Sequence, residues 1–198
     1  MVAATREVTV DPLVIIVAEL DRFEIPYMLA GSFASTYYGD PRTTHDIDFV
    51  VAPTQEQLRN LVEGLDPDRF YVSEIAVAEA WRRRGMFNVV LVELGWKVDL
   101  ILRKDRDFSR SEFERRRRAV VGDLEVWMAT AEDTIVAKLE WARAGESERQ
   151  VRDVVGMLQV SGDSLDRAYI RKWVVELGLD ELWAKASSDV QSPRPPRG

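Results

Sequence analysis

The chain has 198 residues, of which 46% are hydrophobic, so it is long enough for one domain of moderate size with a real core, with or without a small appendage. The net charge of -7 argues against a protein that coats nucleic acid without specificity. The absence of cysteine excludes disulfides and thiolate metal sites, and a single histidine excludes a cluster of histidine ligands.

Nothing in the sequence predicts a membrane partner. The apolar stretch "LVIIVAEL" is too short to span a bilayer and lies between Asp11 and Glu19. No charged segment followed by an apolar segment and a small-residue cleavage site is apparent near the start. We therefore expect a cytoplasmic protein.

The first elements carry clear start signals. Asp11 followed by Pro12 predicts the N-terminus of an amphipathic helix. The short run "YMLAG" predicts a strand, and "SFASTYY" predicts a helix that ends at Gly39. The segment "THDIDFVV", residues 44–51, predicts the second strand. Thr54 with Gln57 three residues later predicts a capping box at the start of the next helix.

The middle of the chain alternates strands and helices. We predict a strand at "FYVS", a helix at "VAEAWRRR", and a hairpin whose apolar arms "FNVVLVEL" and "KVDLIL" flank Gly95. The arginine-rich segment "SRSEFERRRRA" predicts a helix. A smaller hairpin is predicted around Gly122.

From Thr130 onward the pattern is helical. Thr130 with Asp133 indicates a helix start, and further helical segments follow, separated by Gly, Ser and Asp. We therefore predict an α+β domain over residues 1–128, a helical domain over 129–186 and a disordered proline- and arginine-rich tail over 187–198.

Three acids stand out in apolar strands. Asp46 and Asp48 are two residues apart, so they face the same side of a strand and repel each other. Divalent cations such as Mg²⁺ prefer oxygen ligands and would offset that repulsion. Asp99 lies in "KVDLIL", where it either pairs with Lys97 or Arg103 or joins the other two acids from a neighbouring strand. Three such acids suit two metal ions, about 4 Å apart, that act in phosphoryl transfer.

A possible phosphate site precedes these acids. Gly31 and Ser32 lie between the first strand and the short helix, where free backbone N–H groups and a hydroxyl can bind phosphate. The alternative is ordinary turn chemistry.

Together these residues resemble the DNA polymerase β-like nucleotidyltransferase superfamily. The pattern is Gly31-Ser32, a short helix, then Arg42, Thr44, Asp46 and Asp48 at alternate positions, and a third acid in "VDLIL". The segment "GSFASTYYGDPRTTHDIDFVV" looks especially like small bacterial members related to AbiEii-type toxins of toxin–antitoxin systems. The resemblance extends over most of residues 25 to 145.

The resemblance implies a fold, a site and a reaction. The fold is a mixed β-sheet flanked by helices and followed by a C-terminal helical unit. Gly31 and Ser32 would hold the triphosphate of an NTP, and Asp46, Asp48 and Asp99 would bind two Mg²⁺ ions. Asp99 would also help to deprotonate the acceptor hydroxyl, which attacks the α-phosphorus and releases pyrophosphate.

Two further residues each have two interpretations. Lys138 resembles a lysine that contacts the nucleotide in the toxin branch, and the alternative is a solvated helix lysine. Arg42 either contacts a phosphate or supports the local turn. His45 faces away from the acids by strand alternation, which disfavours a ligand role.

The arginine clusters and the tryptophans have simpler interpretations. Arg82 to Arg84 and Arg115 to Arg118 indicate solvated helix faces, with a polyanion contact as the alternative. Trp141, Trp173 and Trp183 fall at helical spacing, which favours core packing over base stacking.

Three functions remain open on the sequence. The first is a Mg²⁺-dependent nucleotidyltransferase that modifies RNA or protein, as in a toxin module with an antitoxin partner. The second is a nucleotidyltransferase of the antibiotic-modifying kind that acts on small molecules. The third is a catalytically silent relative that acts as a binding or antitoxin protein.

Overall fold

The computed structural model describes residues 11–40, 44, 46–145, 147–162 and 164–190. Helices and strands alternate in the first two thirds and helices alone follow: α1 Pro12–Arg22, β1 Tyr27–Leu29, α2 Gly31–Tyr38, β2 Asp46–Val51, α3 Gln55–Gly64, β3 Phe70–Val72, α4 Glu74–Arg83, β4 Met86–Leu91, β5 Trp96–Leu102, α5 Asp107–Glu114, β6 Arg117–Val121, β7 Leu124–Met128, α6 Ala131–Gly145, α7 Glu148–Ser161, α8 Arg167–Glu176 and α9 Asp180–Asp189.

Seven strands form one mixed sheet in the order β3-β4-β5-β2-β1-β7-β6. The pairs β2–β5 and β1–β7 are parallel, and the other neighbours are antiparallel. The predicted α+β architecture with a mixed sheet is confirmed. The two predicted hairpins are confirmed as β4–β5 and β6–β7.

The two faces of the central strands have different surroundings. Alternate residues such as Leu29, Phe49 and Leu100 are fully buried in the main core, which includes apolar residues of α1, α3 and α4. The intervening residues Met28 and Val50 join a small separate cluster with Phe113 of α5. Because side chains alternate between faces, Asp48 and Asp99 lie on the same face as Met28 and Val50.

Local capping explains where several helices begin. The Leu13 amide donates to Asp11 at 2.8 Å, as the Asp-Pro pair predicts. The capping box at Thr54 is complete, with the Thr54 amide donating to the Gln57 side chain at 2.8 Å and the Gln57 amide donating to the Thr54 hydroxyl at 3.1 Å. These predictions succeed because each bond lies within one helical turn.

The predicted helix through the four arginines is wrong in its second half. Helix α5 ends at Glu114, and Arg117 and Arg118 belong to strand β6. Strand β6 pairs with β7, and the guanidinium of Arg118 packs 4.4 Å from the centre of the Trp127 ring. Pairing with β7 satisfies the backbone groups, and this tertiary interaction overrides the helical preference of arginine.

Buried apolar side chains form a second large cluster among the last four helices. It also takes in Phe108 of α5, which precedes the predicted domain boundary at residue 128. The last helix continues to Asp189, three residues beyond the end of the predicted helical domain. The division into two domains therefore stays a prediction, and the tail beyond residue 190 lies outside the described residues.

Within the described part of the chain, none of the helices combines the length and the apolar character that crossing a bilayer requires.

Candidate active site

Neighbouring strands bring three polar side chains into one row across the sheet. In the parallel pair β2–β5, Asp48 lies directly opposite Asp99, and in the antiparallel pair β4–β5, Asn88 lies opposite Asp99. On the other side of β2, the Ala30 amide donates to the Asp48 carbonyl at 2.9 Å. The predicted juxtaposition of Asp48 and Asp99 is thus confirmed by the strand register.

The turn after β1 packs directly onto Asp48. Gly31 has a φ of +57°, and a Cβ at this position would lie 2.0 Å from Oδ2 of Asp48. Only glycine permits both this backbone conformation and this approach. The Ser32 backbone N–H donates to the Asp48 carboxylate. The Gly31-Ser32 turn and the acid therefore form one unit.

Asp48 is electrostatically unfavourable as a carboxylate. Burial raises its pKa most, and the charge of Asp99 raises it further, whereas the Ser32 hydrogen bond and the charge of Lys138 lower it. The charge of Asp46 makes the smallest contribution. The repulsion expected from the sequence neighbour Asp46 is therefore weaker than the repulsion from Asp99, because Asp46 is exposed.

Asp99 is buried and already has two partners. Asn88 Nδ2 donates to its Oδ1 at 2.5 Å, and Lys97 Nζ lies 3.2 Å from the same oxygen. The predicted pairing with Lys97 and the predicted approach to Asp48 are therefore both present. Asn88 fixes one carboxylate oxygen in place.

Lys138 is buried, with only 3% of its surface exposed, so its interpretation as a solvated helix lysine is wrong. Its ammonium donates to Asp153 Oδ2 at 2.6 Å and to Gln150 Oε1 at 2.9 Å, both on α7. A buried ammonium needs such partners. The contact with Asp153 fixes the position of the Lys138 ammonium. From this position its positive charge also lowers the pKa of Asp48.

A cavity of about 400 Å³ joins these groups. Its walls include five of the predicted site residues, namely Gly31, Ser32, Asp48, Asp99 and Lys138. Asp46 is exposed and is not part of the lining. Two positions weighed on the sequence, Arg42 and His45, lie outside the described residues.

The cavity lining also contains charged residues that the sequence pattern did not indicate. They lie at the start of α5, within α5 and on α6. Glu112 is buried, and its burial, followed by the charge of Asp133, raises its pKa to about 8. Arg106 donates to both carboxylate oxygens of Glu140 at 2.5 Å. The one sequence feature that could have indicated Glu112 is its place next to Phe113 in a predicted helix, where an acid can be buried with the apolar side chains.

Trp141 also lines the cavity, yet 52% of its surface is exposed. Its predicted place in the core of the helical unit is therefore wrong, whereas Trp173 is buried as predicted. Helical spacing indicated a buried face for both residues. Trp141 instead faces the cavity, so no layer of side chains covers it completely.

The oxygen ligands of the cavity fit Mg²⁺ only in part. Among the described residues, no three His, Asp or Glu side chains come together as a group that could hold a metal ion. Asp48 and Asp99 supply two adjacent carboxylates, and Mg²⁺ is commonly held by one or two carboxylates together with substrate phosphates and water. The donor set therefore fits an ion that binds together with a phosphate ligand.

No family model and no curated protein matches the chain. Solved structures do match. The antibiotic-resistance factor ANT(2'')-Ia is 14% identical with a TM-score of 0.58, over 89% of this chain and 95% of that one. An antigenic nucleotidyltransferase-like protein from Paracoccidioides brasiliensis is 17% identical with a TM-score of 0.50, over 87% of this chain and 89% of that one.

A third match is the lincosamide antibiotic adenylyltransferase LnuA in its lincomycin-bound form, 12% identical with a TM-score of 0.50, over 75% of this chain and 95% of that one. At these identities the likeness concerns the fold. Together with the mixed sheet and its seven-strand order, it shows that this chain has the nucleotidyltransferase fold.

Proposed function

We propose that the chain is a Mg²⁺-dependent nucleotidyltransferase that moves an NMP from an NTP to a hydroxyl of an acceptor. The observation that carries the proposal is the cavity in which Asp48 and Asp99 stand side by side against the Gly31-Ser32 turn, with Lys138 on the facing helix.

The Gly31-Ser32 turn and Lys138 form the phosphate end in this proposal. The start of α2 offers backbone N–H groups to an anion, and the Ser32 hydroxyl can add a further donor. Lys138 is paired with Asp153 at 2.6 Å, and in this proposal it shares its charge with the anion in a region with little solvent screening. Arg42 is proposed as a further phosphate contact on the resemblance alone.

Asp99 is the proposed proton acceptor. The acceptor oxygen forms a bond to the α-phosphorus, the bond between that phosphorus and the oxygen bridging to the β-phosphate breaks, and pyrophosphate leaves. The hydroxyl proton passes to Asp99, whose position is fixed by Asn88. Bound Mg²⁺ would neutralise charge on the phosphate oxygens. Asp48 and Asp99 would hold this ion. Asp46 as a further ligand, and a second ion, are proposed on the resemblance alone.

A small hydroxyl-bearing molecule is our first choice of acceptor. Two similar folds are named as an antibiotic-resistance factor and an antibiotic adenylyltransferase, which supports this class. RNA or protein is the second choice, and an antitoxin partner would accompany it.

The arginine clusters give the second choice little support. Arg82 and Arg83 pair with Glu79, and Arg84 packs on Trp81. In the other cluster, Arg115 pairs with Glu132 and Asp133, Arg116 donates to the Phe113 carbonyl, and Arg118 pairs with Glu125. These intramolecular contacts would compete with binding of a polyanion.

The test is transfer of label from each NTP in the presence of Mg²⁺, with hydroxylated antibiotics, total RNA or protein as acceptors. Asp48→Asn should lower the rate by roughly 1,000-fold, because loss of a metal-binding carboxylate removes several kcal/mol of transition-state stabilisation. Its stability should be kept or raised, because the repulsion with Asp99 is gone. Asp123→Asn, at an exposed position of the β6–β7 turn, is the matched control and should keep full activity.

Two outcomes would contradict the proposal. One is a wild-type protein that binds no NTP and labels no acceptor. The other is an Asp48→Asn variant that transfers label at the wild-type rate. Label on an antibiotic supports the first acceptor class, and label on RNA or protein alone supports the second.

A further inference from the structure

Trp141 is an aromatic side chain placed in the cavity rather than in the core. It lies on α6 and contributes to the cavity wall, although 52% of its surface is exposed. Tryptophan is usually well buried, because its large apolar surface is costly to expose. An exposed tryptophan in a concave site therefore has surface available for a ligand.

The surroundings of Trp141 leave its ring accessible. Among the described residues, Trp81, Trp127 and Trp173 each carry a cation within 5 Å of the ring centre, whereas no such contact involves Trp141. The residues on the same helical face, Ala137 four positions before and Ala144 three positions after, also line the cavity and have small side chains. They leave space beside the indole.

The position of Trp141 relative to Lys138 indicates which part of a ligand it meets. The two residues are three positions apart on α6, so their side chains lie on one face about one turn from each other. Both line the cavity. A nucleotide whose phosphates contact Lys138 has its base within reach of the next turn of this helix.

We propose that Trp141 is the platform on which the nucleobase of the NTP stacks. The inference rests on the proposed function, since it takes Lys138 as a contact of the triphosphate. Stacking on a flat aromatic ring tolerates any base but favours larger ring systems. The chain should therefore bind purine nucleotides more tightly than pyrimidine nucleotides, with Trp141 as the source of the preference.

The experiment is calorimetric titration of the full chain with Mg²⁺ and ATP, GTP, CTP, UTP or inorganic tripolyphosphate. Trp141→Ala should weaken ATP binding by roughly tenfold or more, the usual effect of removing one stacking partner. Its affinity for tripolyphosphate should stay at the wild-type value, because tripolyphosphate has no base. Trp141→Phe should keep most of the ATP affinity.

The matched control is Trp183→Ala, which removes a tryptophan that lines a different pocket, on α9. It should bind ATP as the wild type does. Equal ATP affinity of Trp141→Ala and the wild type would overturn the inference and leave the proposed function standing. If the wild type binds neither tripolyphosphate nor any NTP, the proposed function fails and this inference fails with it.

Discussion

Replacing Gly31 by alanine tests whether the contact between the turn and Asp48 matters for activity. The added Cβ would lie 2.0 Å from Asp48 Oδ2, whereas ordinary contact begins at 3.4 Å, so the carboxylate must move by the difference, about 1.4 Å. That movement would also disturb the hydrogen bond from the Ser32 amide. Since a misplacement of about 1 Å can cost roughly 100-fold in rate, we expect a loss of at least that size.

The backbone cost of this substitution can be measured separately. Gly122 has a φ of +60°, close to the +57° of Gly31, but no atom lies within 4 Å of the Cβ that alanine would add there. Gly122→Ala therefore carries only the strain of a left-handed alanine, about 1 to 2 kcal/mol. Both variants should lose that stability, and Gly31→Ala alone should lose transfer activity.

The assays are thermal unfolding and kcat/KM for label transfer, with NTP affinity measured in parallel. If Gly31→Ala and Gly122→Ala had the same kcat/KM, the close approach of the turn to Asp48 would have no functional consequence and the reasoning would be refuted.

Two predictions concern buried polar groups near the cavity. The pKa of Glu112 is raised from 4.5 to about 8, so the folded state holds this proton more tightly than the unfolded chain does. The free energy of unfolding therefore falls by up to about 5 kcal/mol as the pH rises from 4.5 to about 8. Glu112→Gln keeps the shape without the charge, so its melting temperature should exceed that of the wild type by a margin that grows with pH; a margin independent of pH would contradict this. Tyr169→Phe removes the hydroxyl that donates to the fully buried Asp133 at 2.6 Å and should cost about 1 to 3 kcal/mol in chemical denaturation. Tyr71→Phe, at an exposed position, is the control and should change nothing, whereas equal losses in both variants would argue against a role for the Asp133 bond.

The sequence predicted the elements whose signals are local. The capping residues at Asp11 and Thr54 and the two hairpins needed only neighbours within a few positions. Arg117 and Arg118 show the limit of such reasoning. Arginine favours a helix by its intrinsic propensity, but here both residues pair with strand β7. The pattern of neighbouring residues does not reveal this pairing.

The sequence by itself determined which chemistry the site can contain. It supplied the acids Asp48 and Asp99 in apolar strands and the glycine and serine at a strand-to-helix turn, and these residue types suffice to indicate a metal- and phosphate-binding site.

Only the tertiary structure decided how these groups are arranged. Strand register placed Asp48 beside Asp99 and left Asp46 exposed, and packing of α6 and α7 buried Lys138 against Asp153. The same packing left Trp141 open to the cavity. The physical reason is that register and burial depend on contacts between residues far apart in the chain, whereas periodicity and capping report only on the nearest turn or strand.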